Sequence, residues 1–280
     1  MVLFNQFYLV RTIKAHNQGS FSYSLMRYSI YALCSDEKNQ KYQRFFIHNI
    51  PQSNPSGEES DKNSIKKKFT EELKSLNDIQ RNAVITSLTC SDYHLILGIP
   101  GSGKTTTIAV LLNLLLKLEK KVLVTSFTNN ALDNILIKLK NQGIHFVRVS
   151  SNPAAVHEKV RDNVLKQKFE SIEEIEELLE KTSIFASTCY GVKHELFQKI
   201  KFDYCLIEEA SLLVEAASIA PILLADKFIM IGDYFQLNPL ITSKRAKEGG
   251  MALSLFERLC KTLPDSVTQL EFQVIINIIK

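Results

Sequence analysis

Residues 98–105 read Gly-Ile-Pro-Gly-Ser-Gly-Lys-Thr, the pattern G-x-x-x-x-G-K-[ST], directly after the apolar run YHLILGI and directly before KTTTIAVLLNLLLKLEK. No other stretch of the chain restricts the fold so tightly. The pattern works where a strand ends in a glycine-rich loop that opens a helix, because successive backbone N–H groups and the helix N-terminus must converge on one anion. Gly98, Gly101 and Gly103 leave room for that approach where a side chain would block it. The loop therefore predicts a nucleotide-phosphate site made of Gly98, Pro100, Gly101, Ser102, Gly103, Lys104, Thr105 and Thr106. Lys104 would reach the β- and γ-phosphates, and the hydroxyl of Thr105 would coordinate Mg²⁺.

The rest of the chain from Ile65 supplies matching pieces. Short apolar runs recur at 93–99, 121–127, 144–149, 183–188, 203–209 and 227–233, and helical stretches separate the first three. Continuous apolar strands alternating with helices predict an α/β fold with a parallel sheet buried on both faces. Residues 151–182 are polar, basic early and acidic later, and read as a helical insertion at the sheet edge.

Upstream the pattern differs. Residues 1–50 are rich in aromatic and β-branched types, which predicts short strands of a small, mostly β accessory segment. Residues 51–64, PQSNPSGEESDKNS, lack apolar side chains and read as a flexible linker.

Composition narrows the classes further. The chain has 280 residues, 45% of them apolar, enough for one large domain or two modest ones. A net charge of +4 does not by itself designate nucleic acid as a partner. The five cysteines show no C-x-x-C spacing, so no zinc or iron–sulfur ligand set is read, and reduced thiols of an intracellular protein are expected. The N-terminus lacks the pattern of a secretory signal, and no apolar run is long enough to span a membrane.

The run FDYCLIEEAS separates a hydrolase from a kinase-like transferase. It places Glu208 and Glu209 at the end of an apolar strand, where a parallel sheet can bring them beside the phosphates. Glu208 would hold Mg²⁺ through water, and Glu209 would orient and deprotonate the attacking water. MIGDYFQLNPL then offers Asp233 and Gln236 at the same edge, the glutamine suited to contact both γ-phosphate and water. Upstream, Gln80 at the start of a helix can offer a donor and an acceptor to an adenine edge, selecting ATP over GTP.

In chain order, LNDIQRNAV, GIPGSGKTTT, VTSFTNNALDNILIKL, FASTCYG, CLIEEAS, MIGDYFQLNPLI and SLFERL with LPDSVTQLEFQ resemble the first RecA-like domain of Upf1-like superfamily 1B helicases. Within that group the likeness is greatest to the eukaryotic DNA replication ATP-dependent helicase/nuclease family. It covers about residues 70–273, with the domain itself placed at 65–273. The resemblance implies a P-loop NTPase with a RecA-like sheet, using ATP and Mg²⁺ to move 5′ to 3′ along single-stranded DNA, with RNA as the alternative strand. It implies a role in DNA replication and repair and a nuclear site, with the mitochondrion as the alternative.

Residue by residue, it implies Lys104, Glu209 and Gln236 as catalytic, Gln80 as the adenine reader, and Thr105 with Glu208 as the Mg²⁺ site. It further implies Ser126, Thr128 and Asn129, with Ser187 and Thr188, as contacts to the strand's sugar-phosphate backbone, a task short polar side chains suit.

Two departures qualify the likeness. The family usually has Asp where this chain has Glu208, an extra methylene at a position where octahedral Mg²⁺ tolerates misplacement poorly, so slower hydrolysis is expected. After Gln273 the family continues into a stretch whose arginine reaches the γ-phosphate, whereas this sequence reads VIINIIK over 274–280. An arginine of that kind is worth roughly 10³–10⁵ in rate, so the expectation is an incomplete motor, with a weak or inactive nucleotide-binding fragment as the alternative. Gln273-Val274 can be encoded as a splice donor, which makes the tail read as a gene-model artefact. No nuclease activity is expected, because the nuclease half of the family has no counterpart in these residues.

Overall fold

The computed structural model describes residues 20–165, 169 and 171–270. The first part of the accessory segment, residues 1–19, and the tail over 274–280 with the preceding Gln273 lie outside them. Among the described residues, seven strands form one sheet: β1 (Tyr93–Gly98), β2 (Val122–Ser126), β3 (Val147–Arg148), β4 (Ile184–Thr188), β5 (Phe202–Glu208), β6 (Ala225–Gly232) and β7 (Val267–Leu270). Their spatial order is β3-β4-β2-β5-β6-β1-β7, and every pairing is parallel. The apolar runs of the sequence do not include β7. Its residues are largely half-buried at the sheet edge, so it carries little of the hydrophobic signal.

The period-two alternation of each strand divides the core between the two faces. Leu95, Leu97, Cys205, Ile207, Phe228 and Met230 face one cluster, whereas Ile96, Leu206, Ile229 and Ile231 face the other. The helices are α1 (Ser20–Ser35), α2 (Gln40–Phe46), α3 (Glu59–Lys68), α4 (Thr70–Leu73), α5 (Asp78–Thr89), α6 (Lys104–Lys117), α7 (Asn129–Asn141), α8 (Ile172–Lys181), α9 (Glu215–Ile222), α10 (Lys244–Glu248) and α11 (Leu255–Thr262). The insertion is less helical than the sequence suggested: two 3₁₀ turns, Pro153–Ala155 and Glu158–Asn163, precede α8. The second of them lies beside β3, one of the two edge strands of the sheet.

The expected N-terminal strands do not form over the described part of that segment, which is helical. Leu25, Met26, Ile30 and Leu33 recur at helical spacing and are buried, and that periodicity overrides the strand preference of their aromatic neighbours. Each such side chain contributes about 1.5–3 kcal/mol by leaving water. On α2, Tyr42, Phe45 and Phe46 pack against Tyr93 and Phe228 of the sheet, so the segment shares the main core.

The stretch read as a flexible linker is also attached. Buried Gln52 accepts from the N–H groups of Asp92 and Tyr93 and donates to the carbonyl of Tyr93 and to Ser266 Oγ, and residues 59–64 are the first turns of α3. A polar composition concealed this, because Gln52 is held by backbone pairing at the start of β1 rather than by apolar burial.

Candidate nucleotide and nucleic-acid site

The parallel order brings the carboxyl ends of β1, β6, β5, β2 and β4 to one edge of the sheet. Leu97 pairs with Gly232, and Ser126 pairs with both Glu208 and Thr188. The loops that leave these ends carry the residues predicted from sequence.

The phosphate loop follows β1. Gly101 and Gly103 have φ of 77° and 81°, the left-handed region that glycine tolerates without strain. A Cβ at Gly98 would stand 2.7 Å from Lys104 Cγ, and one at Gly103 would stand 2.3 Å from Gln80 Nε2. Lys104 Nζ donates to the carbonyls of Gly98 and Ile99 at 2.5 and 3.2 Å, so its side chain arches back over the loop. Burial lowers its pKa, opposed by Asp233, Glu208 and Glu209, which places three carboxylates within electrostatic reach of one ammonium. Thr105 and Thr106 open α6 and are half-buried; Pro100 is exposed. Lys138 of α7 donates to Thr106 Oγ1 at 2.9 Å.

Gln80 is buried beneath this loop. It forms a capping box with Asn77 at the start of α5, and its Nε2 donates to the carbonyl of Ser102 at 3.0 Å. One N–H and one acceptor lone pair of the amide remain beyond those bonds.

Glu208, 8% exposed, ends β5, and its Oε2 has no hydrogen-bond partner among the described residues. Burial, reinforced by the adjacent Glu209 and opposed by Lys104, pushes its pKa up to about 7. Glu209 follows in a left-handed conformation, φ 54° and ψ 35°, unusual for a residue with a Cβ. Its Oε2 accepts from Thr128 Oγ1 at 3.0 Å and from Ser126 Oγ at 3.4 Å. Beyond β6, Asp233 accepts from the N–H of Phe235 and from the side-chain amide of Gln236.

The structure divides the predicted strand contacts. Thr128, Asn129 and Thr188 are part-exposed, whereas Ser126 and Ser187 are buried. Ser126 is turned to Glu209; the Ser187 hydroxyl has no partner among the described residues, and Gly191 covers it so closely that a Cβ there would lie 2.3 Å away. Thr128 caps α7 through Ala131 N–H, and Thr188 Oγ1 accepts from Gly191 N–H. Sequence reasoning missed Arg148, which is buried and donates to Asn129 and Asp133. The available signal was a single cation in the apolar run IHFVRV, since a buried charge demands partners.

Residues 75–176 and 158–244 match a family model described as an AAA domain. The chain belongs to that AAA domain family. The matched spans contain Gln80, the phosphate loop, the Glu208–Glu209 pair and Gln236. The DNA replication ATP-dependent helicase/nuclease JHS1 of Arabidopsis thaliana is 43% identical over 201 residues, 71% of this AAA domain chain and 15% of its own length. The human DNA replication ATP-dependent helicase/nuclease DNA2 is 37% identical over 209 residues, 73% of this chain and 20% of its own. The chain thus spans only 15–20% of these relatives' lengths. They carry the family that the motifs resemble, the DNA replication helicase/nucleases. The Pif1 helicase of Candida albicans aligns with 70% of this chain and 40% of its own at 17% identity and a TM-score of 0.38, too low to add to the fold described above.

Proposed function

We propose that this AAA domain is the ATPase lobe of a helicase of the DNA replication helicase/nuclease kind, which binds and hydrolyses ATP to drive 5′-to-3′ movement along single-stranded DNA. The nucleus is the corresponding location. The observation that carries this reading is the hydrogen bonding of Glu209 to Ser126 and Thr128, which couples the candidate base to the segment assigned to the strand.

In this reading the loop amides from Gly98 to Thr106 bind the phosphates, Lys104 faces the β- and γ-phosphates, and Gln80 meets adenine through its remaining donor and acceptor. Glu209 orients the attacking water and takes its proton, and Gln236, held by Asp233, contacts the γ-phosphate. Thr128, Asn129 and Thr188 meet the strand, with Ser126 acting through Glu209. The residues present fit a metal: Glu208 Oε2 and Ser102 Oγ are buried without partners among the described residues, and the cradle at Gly98 and Gly103 has no room for a Cβ. Thr105 and Glu208 would hold Mg²⁺, whose contribution when bound is to neutralise charge on the β- and γ-phosphates.

The test is ATP turnover by the purified chain with and without oligo-dT, beside Lys104→Ala and a matched RNA competitor. Turnover raised by the oligonucleotide, lost in Lys104→Ala and better supported by DNA than by RNA is expected. Turnover indifferent to Lys104→Ala, or to any nucleic acid, overturns the reading.

A further inference from the structure

Arg148, at the end of β3, is 1% exposed and belongs to none of the motifs that mark the site. A guanidinium this deep must distribute its donors among fixed acceptors. Nε donates to Asp133 Oδ1 at 3.2 Å, Nη1 to the carbonyl of Val149 at 2.7 Å, and Nη2 to Asn129 Oδ1 at 2.6 Å. The other oxygen of Asp133 accepts from the N–H of His157 at 2.8 Å, so the carboxylate that anchors the guanidinium is itself fixed. Asn129 and Asp133 stand four residues apart on α7 and share one helix face.

This arrangement settles which way the Asn129 amide points. A guanidinium has only donors, so the amide atom facing it has to be the oxygen. Nδ2 and its two N–H bonds are then turned away from Arg148, on a part-exposed residue beside Thr128. A phosphate oxygen only accepts, so an asparagine free to rotate would meet it with the wrong atom part of the time.

We propose that Arg148 is a positioning residue for nucleic-acid binding: by holding Oδ1 of Asn129 it presents the Nδ2 donors to a backbone phosphate of the bound strand. The proposal rests on the nucleic-acid reading of the β2–α7 turn given above. Arg148 itself touches no strand.

Arg148→Lys keeps a cation beside Asp133, but an ammonium cannot reproduce the three-way fork. Binding of a labelled oligo-dT to the full chain is measured by anisotropy, with affinity for a non-hydrolysable Mg-ATP analogue in parallel. Arg148→Lys is expected to weaken oligo-dT binding about 3- to 10-fold, the size of one lost hydrogen bond, and to leave analogue affinity unchanged. In an Asn129→Ala background it should cause no further loss. Wild-type oligo-dT affinity in folded Arg148→Lys, or an undiminished loss in that background, overturns the proposal.

Asn129→Asp covers the case in which Arg148→Lys does not fold. It keeps an oxygen towards Arg148 and replaces the outward donors with an acceptor, so it should bind oligo-dT more weakly than Asn129→Ala. Equal or tighter binding overturns the proposal. A wild-type chain that binds no oligo-dT overturns the nucleic-acid reading and this role together, whereas wild-type binding with Asn129→Asp unaffected removes the role of Arg148 alone.

Discussion

The hydroxyl of Thr128 donates to Oε2 of Glu209 across 3.0 Å, while its oxygen accepts the N–H of Ala131 at 3.2 Å. One side chain therefore joins the first turn of α7 to the carboxylate that follows β5. The left-handed backbone of Glu209 costs about 1–2 kcal/mol for a residue with a Cβ, and the hydroxyls of Thr128 and Ser126 determine where the carboxylate lies.

Thr128→Val removes both bonds at nearly constant volume. Turnover of ATP should fall about 10-fold, a fraction of what a positioned base contributes, with KM for ATP unchanged. Loss of the cap should cost about 1 kcal/mol, lowering Tm by about 2–4 °C. Thr128→Ser should restore both properties. Unaltered turnover in Thr128→Val, measured by phosphate release, would reduce Thr128 to a helix cap.

Glu208 makes stability pH-dependent in a defined direction. With its pKa raised by burial and Glu209 from 4.5 to about 7, the folded protein binds a proton in that window that the unfolded chain has released. Its contribution is therefore favourable at low pH and is lost as pH rises through about 7. Glu208→Gln removes the charge, so the variant should gain on the wild type by on the order of 2–3 kcal/mol between pH 4.5 and 8. Urea unfolding at several pH values checks this; an equal gap throughout would refute it. Mg-dependent analogue binding should strengthen as pH rises in the wild type and be lost in the variant.

Arg258 clamps the N-terminal helices to the domain. It donates to both carboxylate oxygens of Glu215, at 2.5 and 3.2 Å, to Asn49 Oδ1 at 2.5 Å and to the carbonyl of Phe46 at 3.0 Å. Glu215 is 0% exposed, so Arg258→Ala strands a buried carboxylate and should cost about 3–5 kcal/mol. The neutral pair Arg258→Met with Glu215→Gln should lose less than Arg258→Ala alone. Denaturant midpoints decide it, and a double variant weaker than the single one would contradict the account.

The phosphate loop was legible because its chemistry is local. Gly101, Gly103 and Lys104 work through backbone conformation and spacing within a few residues, and the apolar runs of β1, β2, β5 and β6 advertise burial directly. The helix α1 is hidden in the sequence because its aromatic residues favour strands while its buried positions follow a helical period. Gln52 and Arg148 were illegible for another reason. Their partners, Tyr93 and Asn129, are distant in sequence, and a polar residue gives no sign of whether it is solvated or enclosed.

By itself the sequence determined the phosphate loop, the alternation of strands and helices, and the family, because each is encoded by neighbouring residues. Only the tertiary structure decided that Ser126 and Thr128 turn to Glu209, that Arg148 holds Asn129, and that the N-terminal helices complete the core. Those pairings depend on which strands lie side by side, and strand order is fixed by burying two opposite faces at once, a balance no single segment carries.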